Sequence, residues 1–421
     1  MNSNAKQKVN SWAIILVILS AFFYCYEYIL RISPNVMMPE IMEHFALTAG
    51  GAGLLISLYY FIYTPLQIVV GVITDRYGAK RILSWAIAFC AIGAFLFPAT
   101  HHVSVAGLGR LMIGAGSAFA YVGALAIANK NLNKEWFTFF AGAVTTLGMV
   151  GAIVGDIGMG HLMTDYGFKG IFSSLVLIGL SLLLAFMIAV YFRKKTIGEK
   201  KEPVEPTVSF RELKNIILSR RFVLLGTVGA LLFLSLDIFA ELWGVPFLQA
   251  TRHINVTEAA TINSFIFWGW AVGSPCQALF YKLLKTARRC FIVETLLAAA
   301  CIILALTFTS SSTFTLKTLL FLFGFFCSVE ILCFSVAVQW VRHKSAATAV
   351  AVINFFVMMS GMLFQPLSSA LINWSAHHSA AATHTYTAND YLTTLTILPI
   401  AALVAFGLSF ALPTVEQKIH K

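Results

Sequence analysis

Eight ionisable side chains lie inside long apolar stretches of this 421-residue chain. They are Glu27, Arg31, Arg110, Asp156, Asp237, Glu241, Glu294 and Glu330. An ionisable group at membrane depth is costly unless it faces a partner or a cavity, so each of them is a functional candidate. An arginine placed in this way can hold a carboxylate through two hydrogen bonds, and a buried carboxylate can hold an ammonium group or a proton.

Together these groups have the chemistry that a zwitterion needs, which is a cation contact and an anion contact a few ångström apart. Either arginine can take the carboxylate of such a solute, and carboxylates such as Glu27 and Asp237 can take its ammonium group. Six aromatic residues are candidate walls for an apolar side chain, and they are Tyr24, Tyr28, Tyr121, Trp243, Trp268 and Trp270. Asn354 is an amide in an apolar stretch and needs a partner, which makes it a candidate binding residue.

Proton coupling would require a carboxylate that is paired in one state and released in another. Glu27 is suited to this role, because Arg31 lies one turn away on the same helix face. If Glu27→Gln left proton-driven accumulation intact, the role would pass to Asp237, Glu241 or Glu330. Arg31 could equally pair across a cavity with Asp237 or Glu241, and uniport without a proton is as compatible with the sequence.

The elements that must position these residues are membrane helices. Hydrophobic residues make up 59% of the chain and charged residues 11%, whereas a soluble domain is roughly 25% charged. This excludes a cytosolic enzyme, a nucleic-acid-binding protein and a disordered chain. Twelve stretches are long and apolar enough to span a bilayer. They are 11–32, 48–72, 81–99, 104–129, 137–162, 168–192, 221–248, 258–283, 287–308, 313–341, 345–373 and 389–412.

The basic residues predict the orientation, since Lys and Arg concentrate in cytoplasmic loops. With both termini inside, 24 of the 29 basic residues fall in inner segments. The longest polar stretch, 193–220, contains two prolines and reads as a cytoplasmic linker with a surface helix near 209–218. It separates an N-terminal six-helix bundle (1–192) from a C-terminal one (221–421). The seven cysteines read as packing residues and not as disulfides or metal ligands.

Six of the eight buried charges recur on every third predicted span, the first, fourth, seventh and tenth. A shift of 210 residues places Glu27 on Asp237 and Arg31 on Glu241. This favours nested three-helix repeats around a shared polar cavity, as in many secondary transporters. Asp156 and Glu294 lie outside the set. Asp156 is an additional candidate, and Glu294 is expected to snorkel or to pair with Arg289.

The loop after the second span reads GVITDRYGAKR and combines turn-forming glycines with charges of both signs. Its glycines permit a tight turn and close helix approach, and Asp75 beside Arg76 and Lys80 could form a charge network that holds a gate in one conformation. The candidate gating residues are Gly71, Asp75, Arg76, Gly78, Lys80 and Arg81.

This loop resembles the signature G-x-x-x-D-R-x-G-x-[KR]-[KR] of the major facilitator superfamily, and Arg110-x-x-x-Gly114-x-Gly116 resembles a second segment of that family. The resemblance implies the all-α major facilitator fold and a coupling role for Arg110. Gly148, Gly151 and Gly155 are small residues that allow close helix crossing, but Asp156 stands where the drug antiporters of the family have proline.

Residues 24–34 and the Leu-Tyr-Tyr-rich second span resemble the bacterial phagosomal transporter (Pht) family and, more distantly, the lysosomal dipeptide transporter branch. That narrower resemblance implies import of amino acids, nucleosides or short peptides.

The prediction is therefore a transporter, not an enzyme, that imports a small amphoteric solute across the bacterial inner membrane by alternating access. Its expected partners are that solute, protons and the lipid bilayer, with no nucleic acid, no cofactor and no metal, and it is expected to be a monomer. Two alternatives stay open. One is an exporter or multidrug antiporter of the same fold, and the other, from a different class, is a membrane sensor or assembly subunit that transports nothing.

Overall fold

The fold is entirely helical over the residues that the computed structural model describes, which are 11–132, 134–197, 210–308, 312–341, 346–378 and 386–414. Helices satisfy every backbone polar group within one segment, as a bilayer requires. We call residues 11–197 the N-terminal half and residues 210–414 the C-terminal half.

The N-terminal half is built from seven helices, and an eighth follows in the segment predicted as a linker. The helices are α1 (Ser11–Val36), α2 (Met38–His44), α3 (Ala49–Tyr77), α4 (Ala79–Ala99), α5 (Val103–Ser117), α6 (Ala120–Asn131), α7 (Lys134–Ile197) and α8 (Phe210–Ile217). Helix α8 confirms the helix predicted near 209–218. Helix α7 covers two predicted spans, and its backbone breaks at Gly167, where φ is +62°.

The C-terminal half contains ten further α-helices and two segments of other helical types. The α-helices are α9 (Arg220–Leu234), α10 (Gly244–Arg252), α11 (Val256–Asn263), α12 (Phe265–Leu284), α13 (Ala287–Thr307), α14 (Thr313–Cys327), α15 (Leu332–Gln339), α16 (Ala346–His378), α17 (Ala388–Leu395) and α18 (Ile397–Ser409). A π-helical segment, Ser235–Trp243, joins α9 to α10, and a 3₁₀ segment, Ser328–Ile331, joins α14 to α15.

Ten helical stretches of the described residues are long and apolar enough to cross a membrane. The predicted spans 137–162 and 168–192 appear among them as one continuous stretch. The predicted span 258–283 is helical but is not among the ten, because α11 and α12 break at Ser264 and because Trp, Gly, Ser, Pro and Gln lower the mean hydropathy of α12.

Close packing of α1 against α7 explains the predicted glycines. A Cβ atom on Gly151 would lie 2.5 Å from the carbonyl oxygen of Cys25, and one on Gly148 would lie 2.7 Å from the ring of Tyr24. These are distances that real Cβ atoms do not reach, so only glycine allows the two helices to approach this closely. The contact lies on the face of α1 that carries Cys25 and Tyr24.

Candidate functional site

An ion pair between the two halves lies at the centre of the buried charges. The Nε atom of Arg31, on α1, lies 3.5 Å from Oε1 of Glu241, in the π-helical segment. Both side chains are almost completely buried. The guanidinium also lies over the ring of Tyr28, 4.1 Å from its centroid. Of the two predicted partners of Arg31 across the cavity, the structure therefore pairs it with Glu241.

The pair keeps unused hydrogen-bonding groups. The Nη1 atom of Arg31 is buried and has no hydrogen-bond partner among the described residues. The paired atoms, Nε of Arg31 and Oε1 of Glu241, face each other at 3.5 Å without forming a hydrogen bond. Buried polar groups normally have such a partner. The cluster can therefore accept a ligand that brings its own donors and acceptors.

A tyrosine from α3 joins the two carboxylates of the π-helical segment. The hydroxyl of Tyr60 lies 2.8 Å from Oδ1 of Asp237 and 2.5 Å from Oε2 of Glu241. The hydroxyl of Ser360, on α16, donates to Oδ2 of Asp237. A tyrosine hydroxyl has one proton, so it can donate to only one of two carboxylates. The other short contact needs a proton that is held by a carboxyl group.

Glu27 is placed differently from the expectation. It lies in the same buried region, but the described residues contain no ion pair between Glu27 and Arg31. Instead Glu27 accepts a hydrogen bond of 3.0 Å from the hydroxyl of Tyr59 on α3. Its second oxygen, Oε1, is buried without a hydrogen-bond partner among the described residues. The geometry therefore does not pair Glu27 with Arg31 in this conformation.

Arg110, on α5, lies in the same layer but binds backbone atoms. Its Nε and Nη2 atoms each donate to the carbonyl oxygen of Ile56 at 3.2 Å, and Nη1 donates to that of Leu30 at 3.3 Å. Its guanidinium lies 5.3 Å from the ring centroid of Tyr59. Arg110 thus holds α3 and α1 together, and no carboxylate lies within ion-pair distance of it in the part of the chain that the structure describes.

The backbone at the three carboxylates of the C-terminal half, Asp237, Glu241 and Glu330, is helical but not α-helical. Asp237 and Glu241 lie in the π-helical segment, and Glu330 lies in the 3₁₀ segment. Both helix types are uncommon and often mark functional sites within longer helices. Glu330 is buried near Gly229 of α9, and its Oε1 atom has no hydrogen-bond partner among the described residues. Among the described residues no ion pair joins Glu330 to Arg31.

Asp156 belongs to a second buried cluster between the halves. Its Oδ2 atom accepts a hydrogen bond of 2.5 Å from Asn263 on α11, and its Oδ1 atom lies 3.4 Å from the amide nitrogen of Asn35 on α1. Both amides also donate to the carbonyl oxygen of Ala240, at 2.9 and 2.8 Å. Asp156 thus joins α7 to α1, α11 and the π-helical segment.

The longest contact between the halves runs along α3 and α16. It begins where Asn373 receives a hydrogen bond from the backbone of Gly50. It continues to Thr64, which donates to the carbonyl oxygen of Met358 at 3.0 Å. It ends where Asn354 donates to Gln67 at 2.9 Å. In the described parts of the two helices, no hydrogen bond between them lies beyond this last pair. The halves are therefore closed at the Thr48 end of α3.

The predicted gating loop lies beyond that contact. Asp75, Arg76 and Arg81 are exposed, and Arg76 lies over the ring of Tyr77 at 5.5 Å. Gly78 ends α3 with φ +85°, which explains this glycine as a turn residue. The expectation of close helix approach is wrong for Gly71, because a Cβ atom there would meet nothing within 4 Å. No ion pair joins Asp75 to Arg76 within the described residues.

The predicted aromatic walls divide into two groups. Tyr24 and Tyr28 form an edge-to-face pair with centroids 5.1 Å apart, and Tyr24 also contacts Tyr121 at 5.2 Å. They lie on α1 beside the buried charges. Trp243 and Trp270 are buried and donate to Ser368 and Ser235. Trp268 was also expected to be a pocket wall, but it is 44% exposed on the helix surface.

The expectation for Glu294 is also wrong. It is fully buried on α13 and accepts a hydrogen bond of 2.7 Å from Gln277 of α12, so it neither snorkels nor pairs with Arg289. Sequence reasoning also missed Tyr59, Tyr60 and Ser360 as partners of the carboxylates. Two adjacent tyrosines in an apolar helix were a usable signal, because a buried tyrosine hydroxyl needs a polar partner.

Comparisons with known proteins identify a family profile and several related transporters. The sequence profile of the Major Facilitator Superfamily matches residues 16–366. The uncharacterized MFS-type transporter YbcL of Bacillus subtilis (strain 168) is 24% identical over 200 residues, which cover 46% of this chain and 48% of that protein. The probable sulfoacetate transporter SauU of Cupriavidus necator is 26% identical over 116 residues, 28% of this chain and 27% of that protein. The chain thus spans about half or less of the length of these relatives.

Solved structures share the whole fold. A bacterial homologue of the human lysosomal transporter Spinster, in an inward-facing and unoccupied conformation, superimposes with a TM-score of 0.74 at 16% identity. The match covers 96% of this chain and 98% of that one. The occupied form of the homologue gives a TM-score of 0.75. At this identity the likeness establishes the fold alone.

Proposed function

The chain belongs to the Major Facilitator Superfamily, and we propose that it imports a small amphoteric solute by proton-coupled alternating access. It is a multi-pass membrane transporter and not an enzyme. The proposal includes twelve spans in two six-helix bundles, residues 1–192 and 221–421, joined by a linker at 193–220. It also includes a bacterial inner membrane, cytoplasmic termini and a monomer.

The Arg31–Glu241 ion pair is the observation that carries the substrate class. It joins the two halves at 3.5 Å without a hydrogen bond between the paired atoms, and Nη1 of Arg31 has no hydrogen-bond partner among the described residues. A zwitterion is the ligand that can replace such a pair without changing the net charge of the site. Its carboxylate would take Arg31 and its ammonium group would take Glu241 or Glu27, whose Oε1 atom is also free.

Alternating access is supported by the asymmetry of the α3–α16 contact. The halves are joined by hydrogen bonds from Thr48 to Gln67, and the loop with Asp75 lies beyond the last of them. With that loop on the cytoplasmic side, as the basic residues predict, this conformation is closed outside and open inside. The gating role proposed for Asp75, Arg76 and Lys80 is then to form a charge network when the inner side closes.

The proton is assigned to the Asp237–Glu241 pair and no longer to Glu27. Tyr60 contacts both carboxylates with one hydroxyl proton, so one of the two must be protonated for both contacts to be hydrogen bonds. Substrate binding to Arg31 would release Glu241 from its ion pair. Release of that ion pair would change the proton affinity of the two carboxylates, and this links solute and proton movement.

The test is uptake into proteoliposomes of a labelled panel of amino acids, short peptides and nucleosides, with and without an inward proton gradient. We expect saturable uptake of an amphoteric member of the panel, at least about tenfold stronger with the gradient, since one unit of pH gradient can drive a tenfold gradient of a symported solute. Counterflow without a gradient checks for binding and exchange. No uptake or counterflow of any amphoteric solute would overturn the proposed substrate class.

The proton assignment is tested by two matched neutralising variants. Asp237→Asn is expected to keep exchange but to lose gradient-driven accumulation, because the amide imitates the protonated carboxyl group. Glu27→Gln is expected to keep both, because Tyr59 can donate to the amide oxygen as well. Asp165→Asn, an exposed carboxyl group next to the backbone break of α7 at Gly167, is the control. Loss of coupling in Glu27→Gln alone would return the role to Glu27.

A further inference from the structure

A third buried polar cluster lies within the C-terminal half, apart from the Arg31–Glu241 pair and from the cluster around Asp156. Glu294 of α13 and Gln277 of α12 are both buried, and Gln277 donates to Oε2 of Glu294 at 2.7 Å. The same amide nitrogen lies 3.2 Å from the hydroxyl oxygen of Ser328 in the 3₁₀ segment. Three structural elements therefore meet at one carboxylate.

The cluster has too few donors for its acceptors. The Oε1 atoms of Glu294 and Gln277 are buried, and neither has a hydrogen-bond partner among the described residues. The single hydroxyl proton of Ser328 is directed to the carbonyl oxygen of Phe325 at 2.6 Å. Because Gln277 donates to one lone pair of the hydroxyl oxygen, only the other lone pair is free. A buried carboxylate with one oxygen that lacks a donor is expensive, so it needs either a proton or a cation to compensate it.

The donor set fits a small monovalent cation. A carboxylate, an amide oxygen and a hydroxyl are hard oxygen ligands, and one carboxylate balances one positive charge. The described residues contain no group of three His, Cys, Asp or Glu side chains that could hold a multivalent metal ion. Helix breaks at membrane depth supply backbone carbonyl groups to such sites in transporters, and the break at Ser328 adjoins this cluster.

The cluster also has an access route. A cavity of about 380 Å³ lies between α12 and α15, and Gln277 forms part of its wall together with Ser274, Ser335 and Gln339. Gln339 and Ser335 are exposed, so this cavity is reached from the end of the C-terminal half where α15 ends.

We propose that Glu294, Gln277 and Ser328 form a Na⁺ site that is separate from the solute site. Na⁺ would be held by the free Oε1 atoms of Glu294 and Gln277 and by the hydroxyl oxygen of Ser328. Ser328 and Glu330 belong to the same four-residue 3₁₀ segment. Occupancy of the site would therefore fix the segment that presents Glu330, and it would make the C-terminal half sensitive to Na⁺.

The experiment is equilibrium binding of radiolabelled Na⁺ to the purified full-length protein at constant ionic strength, with choline as the replacing cation. No transported solute is needed, so the result is independent of the proposed substrate. We expect saturable binding of one ion per chain. Glu294→Gln should weaken the affinity at least about tenfold, since it removes the only charged ligand. Ser328→Ala should weaken it less, because it removes one neutral ligand and keeps the carboxylate.

Two controls separate this site from other carboxylates. Glu258→Gln changes an exposed carboxyl group in the first turn of α11 and should bind Na⁺ like the unmodified protein. Asp237→Asn should also retain binding. The proposal is overturned if binding is lost in Asp237→Asn but kept in Glu294→Gln, which would move the ion to the solute site. It is equally overturned if the protein binds no Na⁺ at pH 8.5, which would mean that Glu294 holds a proton instead.

Discussion

The two buried arginines, Arg31 and Arg110, are equally hidden from solvent but have different kinds of partner. Each exposes 2% of its side chain. Arg31 meets one carboxylate from the other half at 3.5 Å and keeps free N–H groups. Arg110 directs three nitrogen atoms to two backbone carbonyl groups of its own half. The first arrangement can be exchanged for a ligand, and the second holds two helices in place. The same residue type at the same depth therefore serves opposite purposes.

Removal of the charge at Arg31 gives the largest expected effect. Arg31→Met leaves Glu241 buried without its ion-pair partner, and loss of one partner of a buried pair costs about 3–5 kcal/mol. We expect a loss of this size in the free energy of unfolding in mixed micelles, together with loss of solute uptake. The double variant Arg31→Met, Glu241→Met should regain most of the stability but none of the uptake, because an apolar pair needs no compensation.

The same double-variant logic distinguishes the two arginines. Arg110 has no ion-pair partner among the described residues, so no neutralised carboxylate should restore the stability of Arg110→Met. Recovery of Arg110→Met by Glu241→Met would contradict the comparison, since it would mean that both arginines compensate the same carboxylate. Failure of Glu241→Met to restore Arg31→Met would show that the ion pair at 3.5 Å contributes little.

Part of this contrast was predictable from the sequence. The spacing of Glu27 to Arg31 and of Asp237 to Glu241 places each pair on one helix face. The match between these two segments, at a shift of 210 residues, led to the prediction of a shared cavity. The glycine at 78 and the short helix near 210 were also predictable, because a turn motif and a charged amphipathic segment are local signals. The choice of Glu241 over Glu27 as the partner of Arg31 was not, since it depends on how the two halves meet.

Other features lacked any local signal. The π-helical segment that carries Asp237 and Glu241 has an ordinary apolar pattern, and its irregular backbone appears only in the fold. Gln277 and Glu294 lie on different helices, so their contact required the packing of α12 against α13. Tyr60 contacts carboxylates that follow it by 177 and 181 residues. Contacts between distant segments thus decided the chemistry that residue types alone had left open.

Exchange of either arginine for lysine should have an intermediate effect on stability, and the size of that effect should differ between Arg31 and Arg110. Lysine keeps the charge but loses the planar set of five N–H donors. Arg110→Lys should lower the free energy of unfolding by about 2 kcal/mol, because it cannot serve Ile56 and Leu30 together and leaves buried carbonyl groups short of donors. Arg31→Lys should cost less, about 1 kcal/mol, since one ammonium group can still face Glu241 and no carbonyl group loses a donor from Arg31 among the described residues. Denaturation of the two variants in the same micelles measures the difference.

The reverse order in that experiment would contradict the assigned roles. If Arg31→Lys were the more damaging, the arginine fork would be needed at the ion pair even without a solute. Solute uptake gives an independent readout, because a two-pronged hydrogen bond to a substrate carboxylate is possible for arginine and not for lysine. We therefore expect Arg31→Lys to raise the KM for uptake several-fold while its stability stays close to that of the unmodified protein.

The tyrosines beneath the two arginines give the smallest and most specific test. Tyr28 lies 4.1 Å below Arg31 and Tyr59 lies 5.3 Å from Arg110, and phenylalanine would keep the ring in both places. Tyr28→Phe should change stability by less than about 0.5 kcal/mol, because its hydroxyl has only a 3.5 Å contact with Tyr24. Tyr59→Phe should cost about 1–3 kcal/mol, because Glu27 loses the hydroxyl that donates to it at 3.0 Å.

Adding Glu27→Gln to Tyr59→Phe would then recover part of that loss, since an amide that lacks a partner costs less than a carboxylate. If Tyr59→Phe were neutral, Glu27 would have to be protonated already, and the proton assigned to Asp237 and Glu241 would have a competitor on α1.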